Sequence, residues 1–393
     1  MSIRQRFSAR TAWETTETDL ARALRERKEA RQTLLDLTAS NPTQCGFVYD
    51  EAAILPPLAA LEALVYDPNP QGLLRAREAV RDYYQEHRAE VDPAHIFLTT
   101  STSEAYSYVF RLLCDPGDEV LIAQPSYPLF DFLATLDDVR LISYALFYDH
   151  GWHLDLEAVR QRITPRTRAI ALVHPNNPTG HFTKLKEREL IEQLCCEHGL
   201  ALIVDEVFLD YPLAQMNGGS SFAVGPHPAL TFVLSGMSKI AGLPQMKAAW
   251  IAAFGPKPDL ESALQRLEVI ADTFLSMNAP VQCALPHWLK HRRQIQGQIQ
   301  KRVAGNLQGL DEILSGQTMV TRLDADAGWY AVLRVPAVRT DEDLAIELIQ
   351  SKGVSVHPGY FFGFPSDGWL VVSLLTPEEE FHRGIEVILS FCN

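Results

Sequence analysis

From about residue 72 onwards, short apolar runs alternate with amphipathic stretches along the chain. The runs are HIFLTT, DEVLIA, VRLISY, RAIALV, LALIV, LTFVLS and AAWIAA. Most of them are continuously apolar, which is typical of strands buried on both faces of a sheet. The stretches with helical spacing are Leu73–His87, Ser103–Leu113, Asp155–Ile163 and Lys184–His198. Helices between buried strands predict an α/β fold with a largely parallel, doubly wound sheet.

The two ends of the chain have a different pattern. Residues 15–32 combine dense charge with apolar positions at helical spacing, and so predict an N-terminal helix. Residues 281–315 predict one or two long helices, with Pro286 near a start. The later segments GWYAVLRV and WLVVSLL predict strands among further helices.

These patterns together predict two domains. The large domain covers residues 46–285 and contains a mainly parallel seven-stranded sheet between helices. The small domain is α+β and is built from both chain ends, residues 1–45 and 286–393. The length of 393 residues suits such a division, because single hydrophobic cores rarely grow beyond about 300 residues.

Composition narrows the classes of function. The formal net charge of -14 argues against a nucleic-acid or anionic-membrane partner, because both need basic patches. The N-terminal segment lacks the apolar stretch of a signal peptide, and no apolar run reaches the length of about 18 residues that spans a membrane. The six cysteines show no spacing typical of a disulfide framework or a zinc site. We therefore expect a cytoplasmic protein with no metal site.

Polar side chains follow three of the predicted strands. RAIALV runs into HPNNPTG, which contains Asn177. LALIV runs into Asp205, and LTFVLS runs into a Gly-Met-Ser-Lys segment that ends at Lys239. Ligands of open α/β sheets bind beyond the carboxyl ends of the strands. An amide, a carboxylate and an amine are therefore expected on one rim of the sheet.

Two more strand ends add to this rim. IFLTT leads into Ser101, Thr102, Ser103 and Glu104, where the first and last residues have capping-box spacing. A hydroxyl-rich helix N-terminus of this kind binds anions readily. DEVLIA leads into a turn with Tyr127. Each feature alone is usually only a cap, a turn or a solvated side chain, but their order and spacing together indicate a site.

This order and spacing resemble the fold-type I, class I and II aminotransferases that depend on pyridoxal 5'-phosphate (PLP). The similarity covers almost the whole chain, from Asn41–Pro42 through Gly72 to Phe362–Gly363. The family pattern contains an Asn in N-P-T-G, an Asp in D-E-h-[YF], and a Lys after Ser with a cation eight residues later. Those positions are occupied here by Asn177, Asp205, Lys239 and Lys247.

The resemblance implies a role for each of these residues. Lys239 and Asp205 are expected to be catalytic: Lys239 holds PLP as a Schiff base, and Asp205 keeps the ring nitrogen protonated. Tyr127 is expected to stack on the ring, and Asn177 to donate to the phenolic oxygen. The residues expected around the phosphate are Ser101, Thr102, Ser103, Ser235, Ser238 and Lys247.

The resemblance also implies a homodimer. Tyr66 resembles a tyrosine that reaches the PLP phosphate of the partner subunit, which would place the active sites at the interface. The spacing from Tyr66 to Gly72 is one residue longer than the family pattern, which weakens this transfer.

Three positions depart from the family pattern. Lys247 stands where an arginine is usual, and a lysine cannot form a bidentate fork on phosphate. Phe208 replaces the tyrosine of D-E-h-Y, so one hydroxyl donor beside the cofactor is missing. Val371 replaces the arginine that grips the substrate α-carboxylate. Either the substrate presents no such carboxylate there, or another arginine serves, for which the candidates are Arg334, Arg322 and Arg10.

We expect an aminotransferase that moves an amino group between an amino donor, an amine or amino acid, and a keto acid. The same scaffold also supports PLP-dependent lyases, decarboxylases, racemases and carbon–carbon bond-forming enzymes, and the fold does not decide among them. The missing carboxylate clamp keeps that alternative open. A ligand-binding module without turnover is disfavoured because Lys239, Asp205 and Asn177 are all present.

Overall fold

The computed structural model describes residues 7–213, 219–275 and 277–392. The strands are β1 Leu35–Asp36, β2 Ile96–Thr99, β3 Glu119–Gln124, β4 Arg140–Tyr148, β5 Trp152–Leu154, β6 Thr167–Val173, β7 Ala201–Asp205, β8 Thr231–Gly236, β9 Ala249–Phe254, β10 Thr321–Arg322, β11 Tyr330–Arg334, β12 Val354–Ser355, β13 His357–Pro358 and β14 Trp369–Ser373. The α-helices are α1 Asp19–Glu29, α2 Glu51–Ile54, α3 Leu74–Glu86, α4 Thr102–Leu113, α5 Leu129–Leu136, α6 Leu156–Arg162, α7 Leu185–His198, α8 Met237–Ile240, α9 Lys257–Phe274, α10 Ala279–Leu314, α11 Asp341–Glu347 and α12 Glu378–Cys392.

The central sheet has the strand order β2-β9-β8-β7-β6-β3-β4-β5. The strands β8, β7, β6, β3 and β4 run parallel, while β9 and β5 run antiparallel to their neighbours. All seven predicted strands lie in this sheet, which confirms the mainly parallel α/β fold. The predicted number of seven was one too few, because β5 pairs with the end of β4 as a hairpin and is only three residues long.

The sheet is covered on both faces. Alternate residues of one strand belong to different hydrophobic clusters: Leu202 and Val204 lie in one cluster, and Ile203 lies in the other. The neighbouring strand follows the same rule, with Val233 on one face and Phe232 on the other. Since successive side chains of a strand point to opposite faces, two buried faces produce the continuous apolar runs seen in the sequence.

A smaller sheet is formed by the C-terminal part of the chain. Its strands have the order β10-β11-β14-β13, and all of its pairs are antiparallel. Near it, the short β1 pairs in parallel with β12, so that residues from both ends of the chain meet. This arrangement agrees with a small unit that draws on both chain ends.

The long helix α10 crosses the predicted boundary between residues 285 and 286, and Pro286 lies inside it. The helix begins earlier than predicted because the Asn278 side chain accepts a hydrogen bond from the Val281 N–H, with Pro280 in the first turn. The domain limits therefore stay a prediction. Among the described helices, none is both long and apolar enough to cross a membrane.

Candidate active site

The three strands that were predicted to end in polar residues have their carboxyl ends on the same edge of the sheet, the edge at which its parallel strands end. β6, β7 and β8 are parallel neighbours, with Asp205 paired to Val173 on one side and to Leu234 on the other. β2 is antiparallel to β9, which is antiparallel to β8, so β2 ends at the same edge. Four groups therefore lie at the same end of the sheet. They are the loop with Asn177, the carboxylate of Asp205, the segment with Lys239 and the start of α4.

Lys239 lies in the one-turn helix α8, directly after β8. Its Nζ atom is 4.9 Å from the ring centre of Trp329 and 5.5 Å from that of Phe208. Burial among these rings lowers the pKa of Lys239 to about 8, although the nearby Asp205 and Cys45 raise it. A measurable fraction of the amine is therefore neutral near pH 7, as a nucleophile or proton acceptor must be.

Asp205 is a buried carboxylate at the end of β7, with 7% of its surface exposed. Burial raises its pKa to about 6, against the lowering effects of the Val207 N–H, the nearby Tyr106 hydroxyl and Lys239. The Val207 N–H donates to its Oδ1 atom over 3.1 Å. A carboxylate this buried is stabilised in its charged form by a cationic partner, and a protonated ring nitrogen of PLP fits that requirement.

Several buried polar atoms at this end of the sheet have no hydrogen-bond partner among the described residues. They include the Oδ1 atom of Asn177 and the Oγ atom of Ser235, whose residues are 8% and 1% exposed. Buried polar groups are nearly always paired in folded proteins. The Asn177 oxygen can accept a hydrogen bond and the Ser235 hydroxyl can donate or accept one, so both fit a bound molecule with polar groups.

The start of α4 has the features of an anion site. Ser101 caps the helix by accepting the Glu104 N–H at 3.1 Å. The Glu104 carboxylate accepts from the N–H of Thr100 at 2.7 Å, so the predicted capping box closes on Thr100 rather than on Ser101 itself. Thr102 and Ser103 form the half-buried first turn, where helix N–H groups favour negative charge. Ser238 is half-buried beside Lys239.

Three other predicted residues are more exposed. Tyr127 is 41% exposed, and burial together with the charge of Asp205 raises its pKa. Lys247 is exposed and has no ion-pair partner within the described ranges. Tyr66 is 75% exposed. It lines a groove with Gly72, and Lys239 is not part of that groove.

Aromatic side chains from the small sheet complete the surroundings of Lys239. Phe208 is buried and contacts Trp329 edge-on, with ring centres 5.3 Å apart. The ring centre of Tyr330 lies 6.5 Å from that of Phe208, and burial raises the pKa of the Tyr330 hydroxyl to about 12. Sequence reasoning identified the strand that contains these residues but gave Trp329 and Tyr330 no role, because nothing local shows that they reach the large sheet.

Val371 lies in β14 and is fully buried, opposite Val332 and His357 in the small sheet. Tyr330 lies opposite Ser373, which is two residues after Val371 on β14. Because residues two apart on a strand point to the same face, Val371 and Tyr330 share a face of that sheet. The three arginines considered as replacements have other partners. The Nε atom of Arg322 donates to Asp311 at 2.8 Å, and the Nε atom of Arg10 donates to Asp138 at 2.7 Å. The guanidinium carbon of Arg334 lies 5.5 Å from the ring centre of Trp369.

Comparison with known proteins identifies the family. The model described as "Aminotransferase class I and II" matches residues 59–388. The glutamate-pyruvate aminotransferase of Escherichia coli K12 is 29% identical over 260 residues, a match that covers 66% of this chain but only 64% of that relative. The alanine aminotransferase of Mycobacterium tuberculosis H37Rv is 26% identical over 384 residues, covering 91% of this chain and 85% of the relative.

Solved structures show the same fold. An aminotransferase from Escherichia coli superposes with a TM-score of 0.87 at 23% identity, covering 98% of both chains. The alanine aminotransferase from Pyrococcus furiosus also gives 0.87, at 22% identity, covering 98% of this chain and 99% of that one. Members of the matched family use PLP, which confirms the predicted cofactor. The chain belongs to the class I and II aminotransferase family.

Proposed function

We propose that this protein is a PLP-dependent aminotransferase that moves an amino group between an amino donor and a keto acid. The proposal rests on the placement of Lys239 and Asp205 at the ends of adjacent strands, with pKa values of about 8 and about 6. The relatives named glutamate-pyruvate and alanine aminotransferase support amino acids and keto acids as the substrate class.

The predicted residues fit PLP in distinct ways. Lys239 would hold it covalently, Asp205 would face its ring nitrogen, and Asn177 its phenolic oxygen. Tyr127 would stack on the ring beside Phe208. The phosphate would be held by Ser101, Thr102, Ser103, Ser235, Ser238 and Lys247. When bound, PLP draws electrons from the amine-bearing carbon of the substrate and carries the amino group from donor to acceptor.

The side chains of the chain perform the proton chemistry. The neutral amine of Lys239 would accept the proton of the amine-bearing carbon, and its lowered pKa matches a general base that works near neutral pH. The charge of Asp205 favours a protonated partner beside it. The rings of Phe208 and Trp329 keep water from the Lys239 amine, which strengthens both electrostatic effects.

A transfer experiment tests the reaction. The loaded enzyme is incubated with a ¹⁵N-labelled amino donor and an unlabelled keto acid, and the label is followed by mass spectrometry. An aminotransferase places ¹⁵N in the acceptor and releases one keto acid for each amino group moved. Lys239→Ala is expected to abolish transfer, whereas Lys247→Ala retains it with weaker PLP binding.

One observation favours a second candidate. The valine at position 371 removes the usual carboxylate clamp, so a PLP-dependent lyase, decarboxylase, racemase or carbon–carbon bond-forming enzyme with a non-standard substrate is the alternative. A lyase, decarboxylase or racemase turns over with a single amine substrate and releases ammonia or carbon dioxide or inverts the substrate, and a carbon–carbon bond-forming enzyme joins the amine to a second carbon substrate. All of them leave ¹⁵N out of the added keto acid. That outcome would replace the proposed transamination.

The proposal includes a homodimer. An exposed apolar patch is formed by Leu61, Leu64, Val65 and Tyr66, which are 80, 84, 68 and 75% exposed, and Val48 at 73% is close in sequence. Apolar side chains concentrated in one segment usually mark an interface. A second copy covering this segment would bring Tyr66 to the phosphate site of its partner, as the family resemblance implies.

The dimer is tested by changing the patch. We expect Leu64→Asp to shift the molecular mass measured by light scattering from about twice the chain mass of 44.0 kDa to that of one chain, and to weaken PLP binding. Val338→Asp is the matched control, since Val338 is 78% exposed outside the patch. A Leu64→Asp protein that stays dimeric and binds PLP normally contradicts the assignment.

A reducing compartment such as the cytoplasm also belongs to the proposal. The six cysteines are free thiols, including the buried Cys45, Cys195 and Cys283. Proteins of oxidising compartments more often pair their cysteines. Titration of the denatured protein, purified without reductant, is expected to find all of these thiols free.

A further inference from the structure

The turn that follows Lys239 is held by side chains from three other parts of the chain. Helix α8 has only four residues, so its carbonyl groups have few partners within it. Three side chains donate to carbonyl oxygens there: the hydroxyl of Tyr211 to Lys239, the amide of Gln296 to Ile240 and the hydroxyl of Tyr49 to Gly242, each over 2.7 Å.

The first two donors are themselves anchored. The Tyr211 ring lies edge-on against Trp329, with ring centres 4.9 Å apart, and the same Trp329 lies over the Lys239 amine. The amide of Gln296, in α10, also donates to the Asp210 carboxylate at 2.7 Å. The second oxygen of Asp210 pairs with His87 Nε2 at 2.9 Å. The side chains of Tyr211 and Gln296 are buried, with 1% and 7% of their surface exposed, so packing restricts both to one rotamer.

We propose that Tyr211 and Gln296 are positioning residues, which fix the main chain at Lys239 and Ile240 so that the Lys239 amine stays in reacting position. The inference rests on the proposed role of Lys239 but not on which substrate is transformed. Neither residue touches the reacting atoms in this assignment; both act through the backbone of the turn.

The physical reason lies in the length of the lysine side chain. A rotation of the turn is carried along the side chain to Nζ, and misplacement of a reacting group by about 1 Å costs up to a hundredfold in rate. Without Tyr211, the Lys239 carbonyl keeps only contacts to N–H groups of the turn itself, those of Ala241 and Gly242. Without Gln296, the buried Ile240 carbonyl loses its side-chain donor.

Tyr49 supplies a matched control. Its bond has the same chemistry and length but ends on Gly242, three residues beyond Lys239. Gly242 has a φ of +59°, and a Cβ there would lie 3.1 Å from the Tyr49 hydroxyl, so this contact depends on glycine. Tyr49 therefore holds the far end of the turn, three residues from Lys239, and its hydroxyl makes no bond to the Lys239 or Ile240 carbonyl.

The test compares Tyr211→Phe with Tyr49→Phe by two measurements. The first is the rate at which PLP attaches to Lys239 in protein stripped of cofactor, trapped by borohydride and read by peptide mass. The second is the division between kcat and KM. We expect Tyr211→Phe to slow attachment and lower kcat by about tenfold with KM within about twofold, and Tyr49→Phe to change all three by less than about twofold.

A second pair covers the case in which Tyr211→Phe does not fold. Gln296→Met removes the donor to Ile240, while Gln298→Met, on the same helix, removes bonds to Val48 at 2.8 and 2.9 Å that lie outside the turn. Only Gln296→Met is expected to slow attachment. Equal slowing by Tyr49→Phe and Tyr211→Phe, or unchanged attachment in both Tyr211→Phe and Gln296→Met, overturns the inference. Attachment is measured without substrate, so the result stands even where amino transfer is not found.

Discussion

The two sides of the candidate site differ in the hydrogen bonding and charge of their buried polar groups. The cofactor edge, formed by Asn177, Asp205 and Lys239, has a buried amide oxygen without a described partner and two groups whose pKa values burial has moved toward neutrality. The aromatic wall, formed by Tyr330, His357 and Val371, is kept uncharged: burial raises the pKa of the Tyr330 hydroxyl to about 12 and lowers that of His357.

This difference separates chemistry from recognition. Unpaired polar groups and shifted pKa values are costly to keep, so their presence at one edge supports the proposed cofactor site there. A hydrophobic wall imposes shape and rejects charge without making directional bonds. The cofactor edge follows the family pattern closely, and the wall departs from it at Val371, so the substrate is where this protein is expected to differ from its relatives.

The largest effect is expected from the amine of the cofactor edge. Lys239→Ala is expected to lose covalent PLP attachment and to lower kcat by about a thousandfold or more, as for removal of a general base that is also the nucleophile. Lys247→Ala is the comparison, with attachment retained and PLP affinity weakened by about tenfold, the effect of one charge-assisted hydrogen bond. Peptide mass after borohydride reduction identifies the modified lysine, and attachment at Lys247 would reverse the two assignments.

The carboxylate of the cofactor edge comes next. Asp205→Asn is expected to lose on the order of 3 kcal/mol of transition-state stabilisation, about a hundredfold in kcat/KM, because a buried charge pair loses one partner. Glu206→Gln is the control, since Glu206 is also buried but accepts from the Ser221 hydroxyl at 2.7 Å and from the Phe222 N–H. That variant is expected to melt at a lower temperature with kcat unchanged. Similar kinetics in both variants would remove Asp205 from the site.

The pH dependence of PLP attachment tests the burial of Lys239. Only the neutral amine reacts, so a pKa of about 8 predicts a rate that rises with pH and is about fiftyfold higher at pH 8 than at pH 6. Because the charge of Asp205 raises the pKa of Lys239, the midpoint should move to lower pH in Asp205→Asn. A midpoint above pH 10 in the unmodified protein, where an exposed lysine titrates, contradicts the aromatic burial of the amine.

The smallest effect is expected at the aromatic wall. Amino acids and their decarboxylated counterparts, such as alanine and ethylamine, are expected to differ by less than about tenfold in kcat/KM, because the arginine bonds worth about 1.5–3 kcal/mol each are missing at Val371. Activity on alanine, aspartate and glutamate should accordingly be weak. A preference for alanine above about a hundredfold, with a sharp rise in KM in Arg322→Ala, Arg334→Ala or Arg10→Ala, would show that another arginine has taken the role.

The sequence by itself determined the sheet and the cofactor edge. Continuous apolar runs are a direct consequence of burial on both faces, so all seven runs became strands of the central sheet. Each polar residue of the edge follows its strand within a few positions, and parallel strands end on the same side. Local order was therefore enough to bring Asn177, Asp205 and Lys239 to one edge. The hairpin strand β5 was not predicted, because three residues are too few to show a repeating pattern of apolar and polar positions.

Only the tertiary structure decided what surrounds that edge. Trp329, 90 residues further along the chain and directly before β11, reaches the Lys239 amine, and Gln296 reaches the Ile240 carbonyl from the long helix α10. Such contacts depend on how separate elements pack, and no periodicity within either segment encodes them. The same holds for pKa values, since the shifts of Lys239 and Asp205 arise from desolvation by neighbours that are distant in sequence.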